Sequence, residues 1–141
     1  AQCEEDLGVQ LTAQEGGDLG TRMGRAIRRA LKTYSKVLLA GADAPAIGRR
    51  EWTAAASALD RHDMVLIPAD DGGYVLVGAR KDHAQMFDGI SWGSGAVLAQ
   101  QRNAFARAGL THAELAVSWD VDRPEDLVRL KSLKPPLAFE W

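Results

Sequence analysis

Apolar positions recur along this chain with two different periods. Leu19, Met23, Ile27 and Leu31 are spaced four apart, with Ala26 and Ala30 beside them. That is one face of an amphipathic helix, predicted over residues 18–33 with Asp18 as its N-cap. Arg22, Arg25, Arg28, Arg29 and Lys32 occupy its other faces. KVLLAG at 36–41 and MVLIP at 64–68 are unbroken apolar runs, the pattern of strands buried on both faces of a parallel sheet. VQLTAQ at 9–14 alternates and predicts a short strand, ended by EGGD at 15–18. ADAP at 42–45 is a turn, and RREWTAAASALD at 49–60 a second helix. A strand, YVLVG, follows the DDGG turn; residues 94–108 form a helix that Ser94 is able to cap. AELAVSW at 113–119 reads as a strand, and PEDLVRLKSL at 124–133 as a last helix with Pro124 at its first position. KPPLAFEW cannot be helical through Pro135 and Pro136.

Strands alternating with helices predict an α/β domain with a mostly parallel sheet flanked by helices. Ligands in such sheets bind beyond the carboxyl ends of the strands. The polar residues that follow strands are therefore the candidates.

Asp43 follows VLLAG directly. It either shapes the turn before Pro45 or offers a carboxylate at the ligand-binding edge. Asp120 and Asp122 follow the strand ending at Trp119, and alternation points both side chains the same way. Two such carboxylates suit a hard divalent cation. Equally, Asp122 is available to cap the following helix, since Arg123 is a poor N-cap. Glu125 and Asp126 in that helix's first turn favour its dipole. In LIPADDGGYVLVG, Gly72 and Gly73 either make a tight bend or leave room for a ligand against the backbone, with Asp70 or Asp71 accepting bonds from it. Trp92 is a core residue or a pocket wall. No Ser-His or Cys-His pairing supports covalent catalysis.

Composition changes the picture mainly by exclusion. A chain of 141 residues is one domain's worth. Its net charge of -2 argues against a nucleic-acid partner. Cys3 stands alone, so no internal disulfide forms and a reducing, cytoplasmic setting is expected. No apolar run reaches about 18 residues, and the acidic AQCEEDLG is no signal peptide, so no membrane partner is expected. His62, His83 and His112 show no metal-ligand spacing.

Five stretches in order carry a resemblance: QEGGDLGTRM at 14–23, LLAGADAPAI at 38–47, IPADDGGYVLVG at 67–78, FDGISWGSGAV at 87–97 and DVDRPEDL at 120–127. They resemble bacterial nucleotide-diphospho-sugar transferases, often labelled glycosyltransferases, of the A-type glycosyltransferase fold. These are similar to 2-phospholactate guanylyltransferase and to the molybdenum-cofactor nucleotidyltransferases. The resemblance implies a transferase assisted by Mg²⁺ or Mn²⁺, acting on a nucleotide or nucleotide-sugar donor and a small-molecule acceptor. Asp43 matches a metal-binding aspartate and Asp122 a second metal ligand, both with catalytic roles, and Asp120 lies close enough to help. Asp71, Gly72, Gly73 and Tyr74 match the stretch that contacts the sugar or acceptor. Gly17, Asp18, Leu19, Gly20 and Arg22 match a segment near the nucleotide.

The sequence also departs from the family pattern. Ala42 and Ala44 stand where relatives commonly have Thr or Ser and Cys, and Arg123 where Thr is usual. The family's opening strand and its Gly- and basic-residue-containing phosphate loop have no counterpart in the sequence. The expectation is that residues 1–141 are the C-terminal part of a larger family domain, or that nucleotide is not bound in the usual way. A nucleotidyltransferase of the guanylyltransferase type is the alternative activity. A non-catalytic remnant, pairing with a partner or as a homodimer through the face the missing strand would cover, is the alternative from another class.

Overall fold

The computed structural model describes residues 8–133. Cys3 and the KPPLAFEW tail lie outside the described residues. The elements are α1 (Leu19–Leu31), β1 (Val37–Ala40), α2 (Arg49–Ala58), β2 (Met64–Pro68), β3 (Tyr74–Ala79), α3 (Val97–Arg107), β4 (His112–Glu114) and α4 (Asp126–Leu130). The strands form a four-stranded sheet in the order β1-β3-β2-β4.

The sheet is mixed rather than mostly parallel. β3 lies between β1 and β2 and runs antiparallel to both; β2 and β4 are the one parallel pair of strands among the described residues. The cause lies in the loop lengths. Antiparallel neighbours can be joined by a tight turn, whereas a parallel pair needs a crossover of about a dozen residues or more. Residues 69–73 leave room only for a hairpin, and Ala69 N donates to Gly73 O at 3.0 Å to close it. β1, β2 and β4 share one direction, so their carboxyl ends open at a common edge.

β2 is buried at every position, and side-chain alternation sends it to two cores. Met64 and Leu66 join Ile27 of α1, Val77 and Phe105 of α3 on one face. Val65 and Ile67 join Ala55 and Leu59 beside α2 on the other. Fully buried Leu66 and Ile67 each contribute about 1.5–3 kcal/mol relative to exposure. Two half-structures of helix therefore sandwich the sheet. α1 approaches closely because Gly20 has no side chain: a Cβ there would sit 2.9 Å from the Trp92 ring.

Several boundaries differ from expectation. Residues 9–14 form no strand; their alternation has no neighbouring strand to pair with among the described residues. β1 is half-buried throughout, not enclosed, because β3 is its one pairing partner among the described residues. The predicted strand over 113–119 is reduced to β4 and a single bridge, Ala69 to Ser118. α3 begins at Val97 with Ala96 at the cap; Ser94 instead donates to Ser91 O at 2.7 Å. α4 starts two residues beyond Pro124. α1 keeps its predicted cap, with Asp18 accepting from Thr21 N at 2.8 Å. Among the described residues no helix is long and apolar enough to cross a membrane.

Candidate functional site

The shared carboxyl edge gathers acids from distant parts of the chain. Asp43 sits in the turn after β1; Asp120 and Asp122 lie in the irregular segment that follows the Ser118 bridge. One carboxylate oxygen from each of the three lies within 4.8 Å of the others. Main-chain bonds bring the two segments together: Val121 N donates to Asp43 O at 2.9 Å, and Ser118 N donates to Pro68 O at 2.8 Å. Asp43 and Asp122 are exposed and Asp120 is half-buried.

The electrostatics of this cluster are unfavourable without a counter-charge. Burial pushes the Asp120 carboxyl above its ordinary value, and repulsion from Asp122, Asp71 and Asp43 pushes it further. Three hard oxygens at such spacing fit a small divalent ion. At bonds of about 2.1 Å, opposite ligands of octahedral Mg²⁺ stand roughly 4.2 Å apart and adjacent ones roughly 3.0 Å, so the three carboxylates must draw in by up to about 2 Å to share one ion. Asp122 is free for such work because it caps nothing. Its own amide and that of Arg123 instead donate to Asp126 Oδ2, at 3.1 and 3.0 Å.

The DDGG turn borders the cluster. Asp71 Oδ1 accepts from Gly73 N at 2.9 Å, an Asx turn. Asp70 pairs with Arg129 at 2.9 Å. Gly72 adopts φ 92°, and a Cβ there would collide with the Gly95 carbonyl oxygen. The space left by this glycine is thus filled by the protein's own backbone. Tyr74 is largely buried; its hydroxyl donates to Gln101 Oε1 at 2.9 Å, and burial pushes its pKa far up. Gln101 Nε2 in turn donates to Met86 O at 2.7 Å. Trp92 is half-buried against Tyr74 and Phe87, with ring centroids 6.5 and 6.4 Å apart.

The segment 17–22 meets this group through Gly20, which packs against the Trp92 ring and Phe87. Gly17 precedes the helix with φ 122°, Asp18 caps it, and Leu19 is exposed. Arg22 Nη1 reaches Gln14 at 3.3 Å, while its buried Nε has no partner. Arg22 lines a groove of about 610 Å³ between residues 10–15 and the basic face of α1. A second cleft of about 670 Å³ lies between Asp18 at the start of α1 and residues 83–91. Neither is lined by Asp43, Asp120 or Asp122.

Sequence reasoning missed Arg129 and Gln101, and gave Asp126 a part only in the helix dipole. Arg129 and Asp126 stand three apart on α4, a spacing that puts them on one face. Gln101 is a polar residue on the buried side of α3, beside Val97, Ala104 and Phe105.

The family described as "Uncharacterized protein conserved in bacteria (DUF2064)" matches residues 2–94. Among solved structures the chain is similar to a protein of Desulfovibrio desulfuricans G20, provisionally described as a nucleotide-diphospho-sugar transferase. The two are 34% identical with a TM-score of 0.80, over 93% of this chain and 59% of that one. This chain therefore spans 59% of that neighbour's length. No curated protein matches the chain.

Proposed function

The chain belongs to the DUF2064 family of bacterial proteins, and from that premise we propose that it serves a metal-dependent transferase with a nucleotide-sugar donor and a small-molecule acceptor. The observation that carries this reading is the meeting of Asp43, Asp120 and Asp122 within 4.8 Å at the carboxyl edge of the sheet. The description of the Desulfovibrio neighbour favours glycosyl transfer over nucleotidyl transfer.

In this reading the three carboxylates hold one Mg²⁺ or Mn²⁺. A bound cation supplies charge neutralisation for a diphosphate leaving group. The protein's own part is mostly positional. The Val121 amide, tied to the Asp43 carbonyl, fixes the distance between the two acid-bearing segments. Asp71 and the Gly72–Gly73 turn form the neighbouring wall, where acceptor hydroxyls would find a carboxylate.

The test is a thermal melt with nucleotide sugars and Mg²⁺ or Mn²⁺. At about 100 times the dissociation constant, one site adds about 2.7 kcal/mol, or roughly 8 °C for a chain of this size. Asp43→Asn should abolish the shift. Turnover with an acceptor should release nucleoside diphosphate. Release of pyrophosphate from a nucleoside triphosphate, supplied in place of the nucleotide sugar, would instead establish nucleotidyl transfer. No shift with any donor, or a shift that Asp43→Asn leaves intact, would end the proposal.

A further inference from the structure

Asp120 and Asp122 lie on a segment that belongs to no helix or strand, so their positions depend on tertiary anchors. Three are main-chain bonds, from Ser118 N to Pro68 O, from Asp70 N to Ser118 O and from Val121 N to Asp43 O. The fourth is a side-chain assembly centred on Arg129. Its Nη1 lies 2.9 Å from Asp70 Oδ2 in the β2–β3 turn and 3.8 Å from Asp126 Oδ1. Its guanidinium carbon sits 4.5 Å over the Trp119 ring, one residue before Asp120. Asp126 meanwhile receives the amides of Asp122 and Arg123. One planar cation thus joins the hairpin turn, the start of the acidic segment and the helix that ends it.

The geometry points to Arg129 as a positioning residue: by clamping Trp119 and Asp126 to Asp70, it sets where Asp120 and Asp122 stand relative to Asp43. An exposed ion pair alone contributes little, and both partners here are about half exposed. The planar guanidinium is what lets one side chain stack on an aromatic face while bonding acids at its edge. A lysine ammonium reproduces the charge but not this simultaneous engagement.

The consequence for metal affinity rests on the proposed reading of the carboxylate cluster, and its sign separates positioning from charge. A cation on the same segment opposes the binding of another cation. If Arg129 acted through charge alone, its removal would tighten Mn²⁺ binding, and a lysine would leave it unchanged. Acting through position, both substitutions weaken binding, by about 10- to 100-fold as for other residues that orient metal ligands.

The experiment compares the wild-type chain with Arg129→Gln, Arg129→Lys and Asp70→Asn. Mn²⁺ affinity is read by electron paramagnetic resonance, and amide exchange at Ser118, Val121, Asp122 and Arg123 by nuclear magnetic resonance. The expected result is weaker Mn²⁺ binding in all three variants with faster exchange at those four amides. Unchanged or tighter binding together with unchanged exchange overturns the clamp. If the wild-type chain binds no Mn²⁺, the metal reading fails separately. Exchange then decides for Arg129: acceleration upholds the clamp, and its absence refutes it.

Discussion

Replacing Tyr74 by phenylalanine removes one oxygen atom from a chain of two hydrogen bonds. In the native protein the phenol donates to Gln101 Oε1, and Gln101 donates onward to Met86 O. Gln101 is fully buried, so no water takes the place of the lost hydroxyl. A buried acceptor stranded in this way costs about 1–3 kcal/mol. The ring itself stays, with its edge contact to Trp92, so no cavity term is added. With a urea m-value of about 2 kcal/mol/M, the unfolding midpoint should fall by about 0.5–1.5 M. The slope should not change, because the surface exposed on unfolding is the same. Gln101→Leu should cost more, since it strands both the phenol and the Met86 carbonyl. Donor and acceptor affinity, once a ligand is in hand, should change little in Tyr74→Phe. An unmoved midpoint combined with lost ligand affinity would refute the argument and assign the hydroxyl to substrate.

Three further outcomes are expected. Gly72→Ala forces a side chain into a left-handed backbone and against the Gly95 carbonyl; chemical denaturation should show a loss of at least about 1–3 kcal/mol. Burial alone would raise the Asp63 carboxyl, but the Thr111 amide at 3.1 Å and the Lys81 ammonium at 3.3 Å outweigh it and hold the group below its ordinary 3.8. A depressed carboxylate stabilises the fold above the unfolded value and loses that contribution as pH falls through the folded one. Urea midpoints taken from about pH 6 to about pH 3 should therefore drop less steeply in Asp63→Asn than in the wild-type chain. Gly20→Ala pushes a methyl into the Trp92 ring, so near-ultraviolet circular dichroism should change along with a loss of about 1–3 kcal/mol.

Much of the fold was legible because local chemistry specifies it. The four-residue spacing from Leu19 to Leu31 gives α1, and Asp18 marks its start as the cap that Thr21 N engages. β2 runs from Met64 to Pro68 as its apolar run does. Strand direction was not legible from apolarity, since a run buried on both faces looks the same in parallel and antiparallel sheets. The turn length between Pro68 and Tyr74 held that information. Residues 9–14 alternate as a strand would, yet alternation describes a surface and supplies no pairing partner. At the candidate site, sequence position alone put Asp43 and Asp120 each after a strand. It carried nothing about Arg129, whose partners Asp70 and Trp119 are distant in sequence or set by the approach of α4 to the hairpin. It likewise left Gly72 ambiguous, because the neighbour that fills its space, Gly95, comes from another loop.

The bond from Val121 N to Asp43 O has a consequence for how such proteins diverge. A tie made between peptide groups survives every exchange of side chain at either position, save proline at 121, which has no N–H to give. Lineages are thus free to rewrite the residues lining this edge, and so the molecules it accommodates, while the spacing of the two acid-bearing segments is inherited through the polypeptide itself.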